Sequence, residues 1–437
     1  MAILDENSFD IYLVAMMNPS KAGWIKKYFS LLDNYHHSLD LYPGSLLSTE
    51  ELFYGYLQPT GIMYGFPTSL LFLNSDFMKD LSREEAFKVL LLEGLILTDH
   101  LKKGAFDFDS LENSLEEFVQ FYEQTQIEKA KKGWLNFKDL TVYQKLESII
   151  DQRVDIKTSF SHKLWTTYLY NSLIFHDLLL YNEYHAGVPA QELVDKRSRV
   201  SLDVIKLIAA AANADGELTE EEEALFEVFM ASADLTKEQR EDAKTFLEEK
   251  KGLDEIPLNY ERSWVLNRYL MEIAVLTVWS DRVVTKAERD FLKRLYKKLG
   301  IPEEEKDKSF IAIQAFVMNN YETVPFLRGK NDTELLMNGA TERWKNILGR
   351  NKEKLAAELK ESKELVAIIA KSTTEELSKE EKEKARTQLK DLARTIPSLT
   401  LFMLPGGSLL LPIVLKIIPD LIPTAFRNNQ IDDNPKK

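Results

Sequence analysis

The chain has 437 residues, a formal net charge of −14, 44% hydrophobic residues and no cysteine. Disulfides, thiolate catalysis and cysteine-ligated metal clusters are therefore excluded. The acidic balance, with no run of basic residues interleaved with aromatics, argues against a nucleic-acid partner, because a phosphate-binding face needs clustered Lys and Arg.

At this length two or three domains are expected. The first ten residues carry Asp5 and Glu6 where an export or targeting segment would be basic, so no such segment is expected. From there the pattern is helical. Ser or Thr followed three residues later by Glu, the reciprocal capping signal, marks helix starts at Ser82–Glu85, Thr219–Glu222, Thr285–Glu288, Thr373–Glu376 and Ser378–Glu381. Phe87, Leu90, Leu91, Leu95 and Leu97 follow the spacing of one helix face, and no series of alternating strand-like runs appears. The expected fold class is all-α and multi-domain. Polar intervals suggest a helical domain over 1–196, a second over 197–305, a helical connector over 306–371, a helix with a membrane segment over 372–427, and a polar tail over 428–437.

The first domain is rich in Tyr, Phe and Leu at core spacing. Its chemical hints are acids and histidines on predicted helices: Glu93, Asp99 and His100; Glu147 and Asp151; His176 and Asp177, with Glu183 and His185 just beyond and, being two apart, on different faces. Facing helices that supply such groups are how bundle metal sites are built. The Glu-x-x-His pairs of di-iron bundles are missing, however, and satisfied core polar groups are the plainer expectation.

The second domain contains a repeat of period 66. Ala214, Asp215, Gly216, Glu217, Thr219 and Glu222 form one acidic turn, and Asp281, Thr285 and Glu288 occupy the matching places in the other. In each, an apolar helix ends at an Asp and a Thr caps the next helix. Glu222 and Glu288 are accounted for as capping partners, which leaves Asp215, Glu217 and Asp281 as candidate metal ligands. An ordinary EF-hand is not expected, because Ala211 would stand at its first ligand position. The stretch resembles the tellurite-resistance TerB family, a small all-helical domain with an acidic turn in two halves. That resemblance implies binding of a divalent cation such as calcium and membrane-linked complexes. Arg282 and Val283 depart from the family pattern in the second copy.

Near the C-terminus, residues 395–415 carry no charge. Twenty-one residues rising about 1.5 Å each can cross roughly 30 Å of hydrocarbon as a helix. Pro397, Pro405, Pro412 and the following Pro419 and Pro423 interrupt such a helix. A broken or re-entrant segment, or a kinked span packed on a copy of itself, therefore fits better than a straight span, with a buried apolar hairpin as the alternative. The run from Leu410 through Pro412, Lys416, Pro419 and Pro423 to Phe426 resembles the transmembrane signature of the LETM family, the leucine-zipper/EF-hand-containing transmembrane proteins. With the middle domain, it suggests the bacterial LETM-related biofilm-associated proteins. The resemblance implies inner-membrane attachment, contact with lipid, and a protein partner or self-association. Basic residues from Lys379 to Arg394 place that flank, and the bulk of the chain, on the cytoplasmic side. LETM proteins carry a ribosome-binding region beyond this segment; eleven residues remain after Phe426, so that activity is not expected here.

A membrane-associated interaction or scaffold protein is the first functional expectation, and a component of cation transport or homeostasis the second. A soluble helical metal-binding enzyme is the third. No phosphate loop, nucleophile elbow or His-Glu-x-x-His motif is present, so no enzyme is expected.

Overall fold

A computed structural model of the protein describes residues 17–34, 48–73, 75–104, 111–125, 140–155, 171–258, 260, 263–279, 285–320, 341, 344–345, 348–393 and 411–422. The fold is all-α, with no β-strand among the described residues. In chain order the principal helices are α1 (Trp24–Asn34), α2 (Thr49–Leu57), α3 (Ser75–Asp80), α4 (Arg83–Lys103), α5 (Leu111–Gln124), α6 (Val142–Val154) and α7 (Phe175–His185). There follow α8 (Ala190–Ala212), α9 (Glu220–Ser232), α10 (Lys237–Glu248), α11 (Trp264–Val278), α12 (Lys286–Lys298) and α13 (Glu303–Asn320). The last four are α14 (Lys352–Glu361), α15 (Lys363–Ser372), α16 (Lys379–Ala393) and α17 (Leu411–Leu421). Two compact units divide them: residues 1–43 with 60–299, and residues 44–59 with 300–437.

In the first unit two helices are buried on every side, as expected of helices that are apolar all round. Every residue of α4 from Ala86 to Asp99 is buried, as is every residue of α11 from Val265 to Val278. Helices α5, α6 and α7 pack on α4, while α7, α9, α10 and α11 pack on α8. Gly94 lets α4 and α7 approach closely: a Cβ there would lie 2.5 Å from Leu178 Cδ1. Residues 196–200, a polar interval in sequence, lie inside the unbroken α8. Their charges are matched locally, with Lys196 on Glu183 at 2.5 Å and Arg197 on Asp234 at 3.4 Å.

Helix starts follow local chemistry. Reciprocal caps form at Ser82–Glu85, Thr219–Glu222, Thr285–Glu288 and Ser378–Glu381. Three more form at Ser48–Glu51, Thr141–Gln144 and Thr236–Gln239. Thr373 is different: it ends α15 instead of starting a helix, and its hydroxyl donates to the Ala370 carbonyl at 2.7 Å. The start signal fails there because the residues before it are already helical, whereas an N-cap needs extended backbone.

In the second unit α14, α16 and α17 pack on α15. The expected transmembrane helix is not found among the described residues. The described part of that segment, α17, has 11 residues, which at about 1.5 Å each is roughly half a bilayer core. No described helix is long and apolar enough to cross a membrane. Leu411, Val414, Leu415, Ile417 and Ile418 of α17 are buried, as are Leu365, Val366, Ile368 and Ile369 of its neighbour α15. Lys416 and Asp420 are exposed. The apolar side of α17 is thus taken up by protein. Pro412 lies in its first turn and Pro419 inside it. Residues 395–410 and 423–427, with Pro397, Pro405 and Pro423, lie outside the described residues.

Candidate functional site

The acidic turns were the first candidates. Helix α8 ends at Ala212 and α11 at Val278, while α9 and α12 have 13 residues each and follow the caps Thr219 and Thr285. In the first turn Gly216 adopts φ +91°, a conformation open to glycine without strain. The Asp215 carboxylate accepts the Glu217 N–H at 3.0 Å, and Lys250 Nζ donates to the Gly216 carbonyl at 2.7 Å. Both Asp215 and Glu217 are exposed. Glu222 and Glu288, each 2% exposed, bind back to the Thr219 and Thr285 backbone N–H groups at 3.0 Å and 2.6 Å. Asp281 lies outside the described residues. Ala211 is buried in the last turn of α8, so a calcium loop cannot begin there.

Several acids of the first unit close the core. Glu147 accepts the Gly23 and Ile25 N–H groups at 2.9 and 3.0 Å, capping α1 from α6. Asp177 takes both Nε and Nη2 of Arg153, at 2.7 and 2.8 Å. Asp151 receives Lys88 at 2.9 Å. Glu93 accepts the Tyr28 hydroxyl at 2.9 Å and the Leu71 N–H at 2.5 Å. Burial pushes the Glu93 carboxyl up to about 7, and these hydrogen bonds hold it from rising further. Burial drives the His176 imidazole down to about 3.

One cluster brings metal-capable side chains together from three helices: Asp99 of α4, Glu117 of α5 and His185 at the end of α7. Each offers a ligand atom, and these atoms lie within 4.8 Å of one another. It is the one such group among the described residues, and neither Asp215 nor Glu217 belongs to it. Asp99, 1% exposed, is fixed by the Ser114 hydroxyl, which donates to Oδ2 at 2.8 Å. Its Oδ1 lies 3.2 Å from His185 Nε2 and 2.8 Å from Lys103 Nζ. Lys103 Nζ also lies 3.0 Å from Glu117 Oε2. The Tyr181 hydroxyl meets His185 Nε2 at 2.7 Å. Burial raises the Asp99 carboxyl, but the His185 ring and the Lys103 ammonium outweigh it and hold the group below the ordinary range. In sequence Asp99 stood out on a predicted helix and His185 just beyond another. Glu117 and Lys103 carried no signal there.

Residues 377–437 match the family model described as LETM1-like, RBD. No curated protein and no solved structure is significantly similar to the chain. The C-terminal region, from just before α16 onward, is therefore LETM1-like.

Proposed function

We propose that this chain is a membrane-associated interaction protein, held at the inner face of the cytoplasmic membrane through its LETM1-like C-terminal region. It acts without catalysis, by binding a protein partner or a second copy of itself, with its bulk in the cytoplasm. The observation that carries this reading is the family match over 377–437, joined to the uncharged residues 395–415 within it. Because α17 already buries its apolar side on α15, attachment from one face suits this chain better than a straight span. The TerB-like acidic turns and the likeness to biofilm-associated proteins extend the proposal to envelope physiology, with Asp215, Glu217 and Asp281 sensing a divalent cation such as calcium. A part in cation homeostasis at the same membrane is the second reading, favoured by the same match.

The test is fractionation of cells making the full-length protein, followed by extraction of the membranes with alkaline carbonate and with detergent. Recovery with the membranes supports attachment. Release by carbonate marks surface association, and release by detergent alone marks insertion. A protein that stays in the soluble fraction after gentle lysis refutes the proposal.

A further inference from the structure

We propose that Asp99, Glu117 and His185 bind a first-row divalent transition-metal ion, with Zn2+ as its type, in the place that the Lys103 ammonium now shares between the two carboxylates. The geometry is close to what such an ion needs. With bonds of about 2.0–2.1 Å, the donors of a tetrahedral zinc site stand roughly 3.3 Å apart. His185 Nε2 lies 3.2 Å from Asp99 Oδ1 and 3.7 Å from Glu117 Oε2.

The buried acid supplies an independent reason. Asp99 Oδ1 points into the cluster, 1% exposed, where it meets the Lys103 ammonium at 2.8 Å and His185 Nε2 at 3.2 Å. Its other oxygen is held by Ser114 at 2.8 Å, the kind of outer partner that orients a metal-binding carboxylate. The Tyr181 hydroxyl lies 2.7 Å from His185 Nε2 and has to release that nitrogen's single lone pair before an ion can take it.

The lysine shows that the place attracts a cation. Lys103 Nζ stands 2.8 Å from Asp99 and 3.0 Å from Glu117, yet its side chain is 39% exposed and can withdraw to water. Glu117 is 40% exposed, so the cluster opens to solvent and an ion has a way in. The two carboxylates leave a charge of −1 with the lysine in place and 0 with a divalent ion instead. Calcium is the poorer fit, since it takes six to eight oxygen ligands, whereas an imidazole nitrogen beside carboxylates suits zinc and its first-row neighbours.

The experiment uses the full-length chain, stripped with chelator and titrated with zinc chloride by calorimetry. A parallel titration with Co2+ follows the visible absorption of a four-coordinate ion. Saturable binding of one ion is expected. Glu117→Gln and His185→Gln should each weaken it by about tenfold or more, with unchanged far-ultraviolet circular dichroism. Lys103→Met removes the competing ammonium and should tighten it. No saturable uptake at millimolar zinc overturns the proposal and leaves a plain ion-pair network. Binding that survives unchanged in both ligand variants, or that Lys103→Met weakens as much as they do, overturns it as well.

Discussion

Truncating Ile418 to Ala tests whether α17 belongs to a protein core. Ile418 is fully buried in α17, which packs on α15, whose Leu365 and Ile369 are also fully buried. The substitution removes three carbons from the one side chain, at about 0.8 kcal/mol per buried group, and leaves part of the vacated space unfilled. The sum is about 3 kcal/mol, within the ~2–5 kcal/mol typical of such truncations. Lys416, two residues away, is exposed, and Lys416→Ala should change stability by no more than ~0.5 kcal/mol. The chain has two units, so a single global melt can mix two transitions. Amide hydrogen exchange at Leu365–Ile369 of α15, in the detergent-free full-length protein, reads the local effect. Ile418→Ala should speed exchange there by roughly a hundredfold, the equivalent of about 3 kcal/mol. If it does no more than Lys416→Ala, α17 is not packed on α15 in solution, and its apolar side is free for lipid.

Thr219→Ala and Thr285→Ala should each cost about 0.5–2 kcal/mol in urea unfolding, and the loss should persist in EDTA, because each hydroxyl accepts a backbone N–H whether or not an ion is present; wild-type curves for both would mean the caps contribute nothing. Gly94→Ala should destabilise the first unit by about 1–3 kcal/mol, since its Cβ would meet Leu178 2.5 Å away between two packed helices; a thermal melt checks this, and Gly94→Ala paired with Leu178→Ala should recover part of the loss. His176 is lowered from 6.5 to about 3 in the fold, so its neutral form gives stability that is complete above about pH 6.5 and is lost as the pH falls toward 3. Chemical unfolding between those values should show a slope from this group of up to about 1.4 kcal/mol per pH unit. His176→Leu should remove that slope, and an unchanged slope would show that the imidazole does not have to charge on unfolding.

Local chemistry made much of this protein legible from its sequence. The all-α class shows in local helical spacing, and the helix starts at Ser82, Thr219, Thr285 and Ser378 rest on contacts three residues apart, so sequence alone reveals them. Even there context intervened. Thr373 carries the same signal but closes a helix that already runs into it, and Thr141 and Thr236 cap with Gln in place of Glu. The repeat was equally visible, since Thr219 and Thr285 stand 66 residues apart. What tertiary structure alone decided is where surfaces go. An apolar helix face looks the same in sequence whether lipid or protein covers it, and only packing on α15 assigns the face of α17 to protein. The polar run 196–200 lies inside α8, and its ion pairs reach Glu183 of α7 and Asp234 beyond α9, which spacing along the chain does not announce. Asp99, Glu117 and His185 share no spacing at all: they converge because α4, α5 and α7 pack together. Convergence of that kind is a property of the folded chain and leaves no period in the sequence.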